Sequence, residues 1–411
     1  MPEFLELIPP EHALRTFFKQ LSPQVIPETV STETALHRVT AEDIRAPHPM
    51  PEFRRSTVDG YAVQARDTHG ASEALPAYLD CVGEVPMGEK ALFEVQGTEC
   101  ALIHTGGMIP PGADAVVMVE ETQTTEGDEV EILKAVGVGE NVIQVGEDVA
   151  EGERVIPQGT AIRPAEIGGL MGLGLMEFQA ARKPRVGILS SGDEVIPPDE
   201  RPGPGEVRDI NTYTLQALVE KAGGEPVLYG IIPDNRRDML AVLATAREEC
   251  QLVIVTAGSS ASARDLTSRV MEELGEPGVL VHGVNVKPGK PTILAVAEET
   301  ALIGLPGNPV SALVIARLFV VPVIEAFLGL DHPRPRPSVP AVLQINVSSA
   351  AGREDWVPVR VSMGPDEVLL AEPLFGKSNL IFNLARADGL FRVPADANGI
   401  SAGEMVFVQL M

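Results

Sequence analysis

The sequence is poor in cysteine, histidine and aromatic residues. Its three cysteines, Cys81, Cys100 and Cys250, lack the spacing of metal ligands, and an odd, unpatterned set of thiols suits a reducing compartment. The seven histidines never cluster, so neither a His-ligated zinc site nor a Ser–His triad has support. Aromatic residues make up 4% of the 411 residues, so the core must be built from Val, Leu, Ile and Ala.

Positive charge is also scarce, and the net charge is −26. No basic stripe is present that could displace counterions from phosphates, so we expect no nucleic-acid partner. The same acidity disfavours anionic membranes. Any bound anion must therefore be held locally, by neighbouring lysines and backbone amides.

Long uninterrupted hydrophobic runs are missing. The segment most similar to a membrane span is 310–330. Arg317, Pro322 and Glu325 interrupt this segment, which favours a buried helix. The acidic N-terminal residues lack the basic start and apolar run of a signal peptide. We therefore expect a cytoplasmic protein that does not enter a membrane.

The chain is instead rich in proline and glycine, with 35 and 39 residues, and is 44% hydrophobic, which is typical of a globular protein with many tight connections. At this length we expect two to four domains. The predicted units are a helical and linker domain (1–55 with 146–183), an inserted β domain (56–145), an α/β domain (184–330) and a C-terminal small β domain (338–411).

Local patterns predict the elements of the first two units. Residues 11–21 form one amphipathic helix, and Ser31-Thr32-Glu33-Thr34 favours the start of a second. Short alternating strands between Gly-rich turns are predicted from 56 to 160, followed by a helical stretch at 164–182. The Pro-Arg repeat at 333–337 predicts a stiff linker before the last domain.

Apolar strands alternate with helices in the α/β unit, which indicates a parallel sheet covered on both faces. Ligands bind such sheets at the carboxyl ends of the strands. The predicted apolar strands and runs are 186–189, 227–232, 252–256, 279–286, 292–296 and 301–305, and the helices are 211–222, capped by Asn211, 235–249, 262–274 and 309–328.

Small polar residues follow three of these strands, and their loops should open on one edge of the sheet. Backbone N–H groups at such helix starts, with nearby hydroxyls, cradle phosphate. Asp265 is expected in the first turn of its helix, where it suits either the helix dipole or a divalent cation. The residues of these loops are Ser191, Gly192, Asp193, Glu194, Gly258, Ser259, Ser260, Ser262, Asp265, Pro306, Gly307, Asn308, Pro309 and Ser311.

The run Lys287-Pro288-Gly289-Lys290-Pro291 is harder to explain as a surface turn. Its prolines stiffen the loop and lack donors, so the two lysines are held out together. With the turn and helix start at 306–311, the run predicts a seat for an anionic ligand. The paired carboxylates Asp193 and Glu194 suit a metal or acid/base chemistry, although a solvated turn explains them equally well.

Taken in order, these segments resemble the MoeA-type molybdopterin molybdenumtransferases, the family of the gephyrin E domain. The resemblance covers essentially the whole chain, and the combination of motifs is specific although no single motif is. The matching segments are 56–62 (Ser-Thr-Val-Asp-Gly-Tyr-Ala), 105–106, 113–117, 146–148 (Gly-Glu-Asp), 191–194, 287–291 and 304–311.

The resemblance implies a homodimer whose α/β domain is MogA-like and binds pterin. The implied reaction inserts molybdenum from molybdate into adenylylated molybdopterin and releases AMP. The resemblance also allows a handover of the substrate from the adenylyltransferase. Lys287 and Lys290 would hold phosphate and oxyanion, while Asp59 and Thr105 of the partner subunit would close the cleft. Mg²⁺ or another divalent cation would be placed by Glu194, Asp234 and Asp265. Molybdenum and tungsten both stay open.

One segment departs from the family pattern. Many members have a loop of the form Gly-Gly-x-Ser-x-Gly-x-x-Asp, and here Ala257 and Ser262 replace its first and last glycines. A side chain at a position that needs positive φ would force a different loop path. Two alternatives stay open: a molybdopterin adenylyltransferase, because the α/β region alone would suit either enzyme, and a non-catalytic molybdopterin-binding paralogue, which the altered loop at 257–265 suggests.

Overall fold

The computed structural model describes residues 7–125, 127–257, 261–330 and 336–411, with the backbone alone at 261–263 and 366. The first part of the chain consists mainly of short strands, with one helix near each end. Its elements are α1 (Pro10–Gln20), β1 (Pro27–Ser31), β2 (Ile44–Arg45), β3 (Arg55–Ser56), β4 (Gly60–Val63), β5 (Ala77–Val85), β6 (Glu99–Ile103), β7 (Ala115–Met118), β8 (Thr122–Thr124), β9 (Glu129–Ile132), β10 (Val142–Ile143), β11 (Arg154–Ile156), α2 (Pro164–Gly172) and β12 (Glu177–Ala181).

Helix α1 confirms the first predicted helix, but the second predicted helix is wrong. Only one 3₁₀ turn, Thr32–Thr34, follows β1. β1 pairs antiparallel with β12, from Pro27↔Ala181 to Ser31↔Glu177, so the end of the predicted helical stretch 164–182 is also a strand. A ladder with a distant strand outweighs the local preference of Ser and Thr for helix starts.

The predicted β region is confirmed as a six-stranded sheet in the order β7-β4-β6-β5-β9-β8. Apolar side chains cover both of its faces, in one cluster around Leu79, Val117 and Ile132 and another around Ile103 and Val116. This insert therefore has its own core.

The α/β unit confirms the predicted alternation of strands and helices. Its elements are β13 (Arg185–Ser191), β14 (Val195–Ile196), β15 (Val207–Arg208), α3 (Asn211–Ala222), β16 (Glu225–Ile232), α4 (Arg236–Glu249), β17 (Leu252–Ala257), α5 (Ala261–Glu273), β18 (Pro277–His282), β19 (Val286–Lys287), β20 (Ile293–Ala297), β21 (Thr300–Pro306), α6 (Pro309–Ile315) and α7 (Val321–Phe327), the last two joined by a π-helical stretch (Ala316–Val320).

The sheet has the order β16-β13-β17-β21-β20-β18, and the expectation of a fully parallel sheet is wrong at one side. β16, β13, β17 and β21 are parallel, but β20 is antiparallel to both β21 and β18. β18 therefore runs in the direction of β21. The loop between β18 and β20 consequently emerges at the carboxyl edge of the parallel strands.

Helices cover both faces of this sheet, as predicted. One apolar cluster joins the sheet to α1, α3, α6 and α7, and the other joins it to α4 and α5. The run from Pro309 to Phe327 is long and apolar enough to cross a membrane, but 72% of its most apolar window is buried inside the protein. The prediction of a buried helix is thus confirmed.

The last part of the chain, together with one strand of the α/β unit, forms a third six-stranded sheet. Its first strand, β19, belongs to the loop between β18 and β20, which carries Lys287 and Lys290 and is called the lysine loop below. The two units therefore share a ladder. Of the predicted linker 333–337, residues 333–335 lie outside the described residues. The elements are β22 (Ser338–Leu343), β23 (Val347–Ser348), β24 (Glu354–Met363), β25 (Leu369–Pro373), α8 (Ile381–Ala385), β26 (Gly389–Val393), β27 (Gly399–Ile400) and β28 (Met405–Leu410). The order of the strands in the sheet is β19-β24-β25-β22-β28-β26.

Candidate functional site

The strand ends that precede the three polar loops lie at one edge of the α/β sheet, as predicted. The ends of β13, β17 and β21 are neighbours, with Ser190 opposite Thr256 and Ala257 opposite Pro306. Thr256 Oγ1 donates a hydrogen bond of 3.3 Å to Ser190 Oγ, and both side chains are buried. The edge is therefore a fixed polar surface.

The loop after β13 is tied to the loop after β16. The Ser191 hydroxyl donates to Asp234 Oδ1, and the Asp234 backbone N–H donates to Asp193 Oδ1 over 3.1 Å. The structure thus brings together Ser191, Asp193 and Asp234, and it leaves Asp193 and Glu194 exposed.

A cavity of about 350 Å³ opens beside these residues. Asn211 lies in its wall and donates from Nδ2 to Gly307 O over 2.9 Å, which fixes the turn before α6. Asn211 is not the helix cap that its position predicted, because Asp209 Oδ1 accepts from Thr212 N instead. The lining residues that matter here are Ser190, Ser191, Glu194, Asp209, Asn211, Thr256, Gly307, Asn308 and Pro309.

The lysine loop lines a second cavity, of about 630 Å³. The loop is anchored by Thr292 Oγ1, which donates to Gly289 O over 2.7 Å, and by Val284 N, which donates to Lys290 O over 2.9 Å. Asn308 lines both cavities, so the predicted lysine seat and the serine-rich edge adjoin. Among the residues of this second cavity are Lys287, Lys290, Asn308, Ser311, Asp355, Trp356, Lys377 and Ser378.

Helix α6 begins at Pro309, as the Asn308-Pro309 pair predicted. The Val310 N–H, however, donates to Ser378 O of the C-terminal domain over 3.0 Å. That backbone donor is used inside the protein, so it is not free for the anion that the sequence predicts at this helix start.

The departure from the family pattern at Ala257 is tolerated. Ala257 is the last residue of β17, outside the positive-φ region, so the expected conflict at this position is wrong. Gly258, Ser259 and Ser260 lie outside the described residues, and Ser262 is described only as part of the α5 backbone.

Asp265 lies in the second turn of α5, not in the first as expected, since the helix begins at Ala261. Its Oδ2 is 3.7 Å from Nη2 of Arg269, one turn further on. Within the described residues, no group of three or more His, Cys, Asp or Glu side chains is arranged to hold a metal ion. The predicted metal residues thus form no closed cage of their own.

Asp59 and Thr105 meet in the β insert, and neither lines the two cavities. Asp59 Oδ1 accepts from the Thr105 N–H (2.7 Å) and the Thr105 hydroxyl (3.2 Å). His104 Nδ1 lies 3.7 Å from the same oxygen, and His104 Nε2 lies 3.0 Å from Glu84 Oε1. The backbone hydrogen bond, followed by the hydroxyl one, holds the pKa of the Asp59 carboxyl below its ordinary value.

Removing the hydroxyl should therefore raise the pKa of Asp59 only in part. In Thr105→Val the backbone donor remains, so we expect a pKa still below the ordinary 3.8, measured by ¹³C NMR titration of the carboxyl. The folded protein has the lower pKa at this carboxyl, so the contact contributes its full stabilisation above the ordinary pKa of 3.8. That stabilisation is lost as the pH falls through the folded pKa. Asp43, whose pKa is lowered mainly by Gln158 N, is the internal control. An unchanged Asp59 pKa would contradict the assignment.

Cavity size alone does not identify the site. A cavity of about 670 Å³ between α3, α7 and the C-terminal strand contains none of the predicted residues. Sequence reasoning also missed Asn211 as a site residue, and it missed Asp355 and Lys377 altogether. The sequence signals for the last two are a charge pattern (Arg353-x-Asp355) and a Gly-Lys-Ser turn, neither informative without the three-dimensional pairing.

The fold and site define a multidomain α/β protein in which the edge predicted to bind an anion is flanked by two β units. Three family models match in order: "MoeA N-terminal region (domain I and II)" at 8–174, "Probable molybdopterin binding domain" at 187–326 and "MoeA C-terminal region (domain IV)" at 340–411.

Known proteins and solved structures are similar to this chain over nearly its whole length. The chain is 30% identical to the molybdopterin molybdenumtransferase of Haemophilus influenzae over 97% of both chains, and 32% identical to that of Bacillus subtilis over 93% of this chain and 90% of the relative. The molybdopterin biosynthesis moeA protein of Pyrococcus horikoshii superimposes with a TM-score of 0.86 at 32% identity, over 99% of this chain and 100% of that one.

The chain therefore belongs to the MoeA family of molybdopterin molybdenumtransferases. The predicted family is confirmed, and with it the transferase class and the role in molybdenum cofactor biosynthesis.

Proposed function

We propose that this chain inserts molybdenum from molybdate into adenylylated molybdopterin and cleaves the phosphoanhydride to release AMP. The observation that carries the proposal is the meeting of two cavities at Asn308. One cavity presents the serines and Glu194 at the sheet edge, and the other presents Lys287 and Lys290. A phosphate and an oxyanion can thus be held side by side.

The lysines supply the positive charge that the acidic chain otherwise lacks. Lys287 and Lys290 are exposed at the mouth of their cavity, so we assign them to the incoming oxyanion and the pterin phosphate. The orientation of the pterin and the shape of the walls around it are assigned to Ser191, Gly192, Pro306, Gly307, Asn308, Pro309 and Ser311. The family's serine loop, Gly258, Ser259, Ser260 and Ser262, belongs to the same proposal.

The residues present fit a divalent cation that takes most of its ligands from phosphate and water, which is usual for Mg²⁺. Asp234 and Ser191 offer oxygens in one place, and Glu194 and Asp265 are the further carboxylates in the proposal. Bound there, the cation would neutralise charge on the phosphoanhydride. The protein's own residues hold and orient the two anions.

We further propose a cytoplasmic homodimer in which Asp59 and Thr105 of the partner subunit complete the cleft. The support is that this pair is preorganised by hydrogen bonds yet lines neither cavity of its own chain. A cleft completed by a partner would also suit direct handover of the adenylylated pterin from the adenylyltransferase.

The test is AMP release from purified protein loaded with adenylylated molybdopterin. We expect release to require both molybdate and magnesium, with tungstate as the comparison oxyanion. Release without dependence on molybdate would refute the proposal. Consumption of ATP with unadenylylated pterin would favour the adenylyltransferase, and tight pterin binding without turnover would favour the non-catalytic paralogue.

A further inference from the structure

The buried carboxylate of Asp355 lies beneath the lysine seat. Asp355 is 4% exposed and belongs to β24 of the C-terminal domain, whereas Lys287 belongs to β19 of the lysine loop. The two residues are directly opposite in a parallel ladder, and Lys287 Nζ lies 3.5 Å from Asp355 Oδ2. A carboxylate from one domain thus holds a lysine from another.

Arg353 contacts the same carboxylate. Its Nε donates to Asp355 Oδ1 over 2.8 Å, and its Nη2 lies 3.4 Å from Oδ2. One negative charge is therefore shared by two cations, so the cluster keeps a net positive charge. Lys287 is fixed in position without being fully neutralised.

The backbone supports the same geometry. Glu354 N donates to Asn285 O over 2.8 Å, which joins the start of β24 to the lysine loop. The Lys287 side chain is 59% exposed, so its ammonium group stays accessible to an anion in the cavity while the carboxylate below is shielded. A buried carboxylate under an exposed lysine restricts where the ammonium group can lie.

We propose that Asp355 is a positioning residue for the oxyanion seat, and that it acts by holding Lys287 in place. The inference rests on the proposed function in taking Lys287 to bind molybdate. It makes the C-terminal domain part of the anion seat.

The variant Asp355→Asn distinguishes a positioning role of the carboxylate from a purely electrostatic effect of its negative charge on the bound anion. Removing a negative charge beside an anion site would by itself strengthen anion binding. If Asp355 positions Lys287, the variant instead binds molybdate more weakly, by on the order of tenfold. We would measure the Kd for molybdate by titration calorimetry on the full chain, with kcat at saturating molybdate expected within about twofold of wild type.

Glu354→Gln is the matched control. Glu354 is the neighbouring carboxylate on β24, and its Oε1 pairs with Arg392 Nη1 at 3.3 Å. The control removes an equal charge from the same strand without touching Lys287, so we expect no loss of molybdate affinity.

A double-mutant cycle covers the case in which Asp355→Asn alters the local fold. In the Lys287→Ala background, Asp355→Asn should have little further effect on molybdate affinity, because its route through Lys287 is gone. Additive losses, unchanged or tighter binding in Asp355→Asn, or a wild type that does not bind molybdate would overturn the inference. The Kd titration does not depend on AMP release, so wild-type molybdate binding without turnover would refute the reaction alone.

Discussion

Gly289→Ala is expected to abolish molybdate binding and to lower the free energy of unfolding by about 3 kcal/mol. Gly289 has φ +125°, and a Cβ there would lie 2.3 Å from Cγ1 and Cδ1 of Ile315, which is buried in α6. The loop must move to relieve this contact, and Lys287 and Lys290 move with it. Urea unfolding followed by the fluorescence of Trp356, the only tryptophan, measures the cost at the junction.

Two variants separate backbone strain from the steric clash. Gly352→Ala has a similar φ of +92° but no atom within 4 Å of the new Cβ, so it should cost only about 1 kcal/mol. Ile315→Ala removes the clashing atoms, so combined with Gly289→Ala it should cost less than the sum of the two changes. If Gly289→Ala lowers the free energy of unfolding no more than Gly352→Ala does, the Ile315 side chain moves away from the new Cβ at no cost.

Asp265→Ala is expected to reduce molybdate-dependent AMP release by about a hundredfold, because a carboxylate that places a cation against the phosphoanhydride contributes several kcal/mol. The competing explanation is a plain ion pair on a helix surface, since Asp265 faces Arg269 one turn away. Such a pair contributes less than about 1 kcal/mol to stability and nothing to turnover.

Arg269→Ala and Asp238→Ala are the controls. Arg269→Ala removes the ion pair and keeps the carboxylate, so AMP release should stay within about threefold of wild type. Asp238 is an acidic residue in the first turn of the neighbouring helix α4, which tests whether any carboxylate near a helix start suffices. If Asp265→Ala behaves like either control, Asp265 has no role in the reaction.

The sequence was most informative where structure is local. The continuous apolar strands of the α/β unit and the start of a helix at Pro309 follow from short patterns, and the structure confirms both. The second N-terminal helix was wrong because β1 finds its partner in β12, far along the chain, and no local signal reports that pairing.

The same limit applies to the site. The loops after β13, β17 and β21 could be placed together, since parallel strands end at one edge of a sheet. The antiparallel course of β20 could not be read from its composition, because buried strands of either direction are apolar. Asp355 was invisible because its role depends on the register between β19 and β24, and the register of a two-residue strand leaves no pattern.

That short ladder between β19 and β24 also limits how the chain can be divided. A fragment ending at Leu330 would keep every strand of the α/β sheet but would leave Val286 and Lys287 without their partner strand. The boundary that sequence composition suggests is therefore not a functional boundary. To transplant the proposed anion seat to another scaffold, two discontinuous stretches of chain would have to be carried over together. A recombination event within this family that exchanged the C-terminal domain alone would replace the strand that pairs with Lys287.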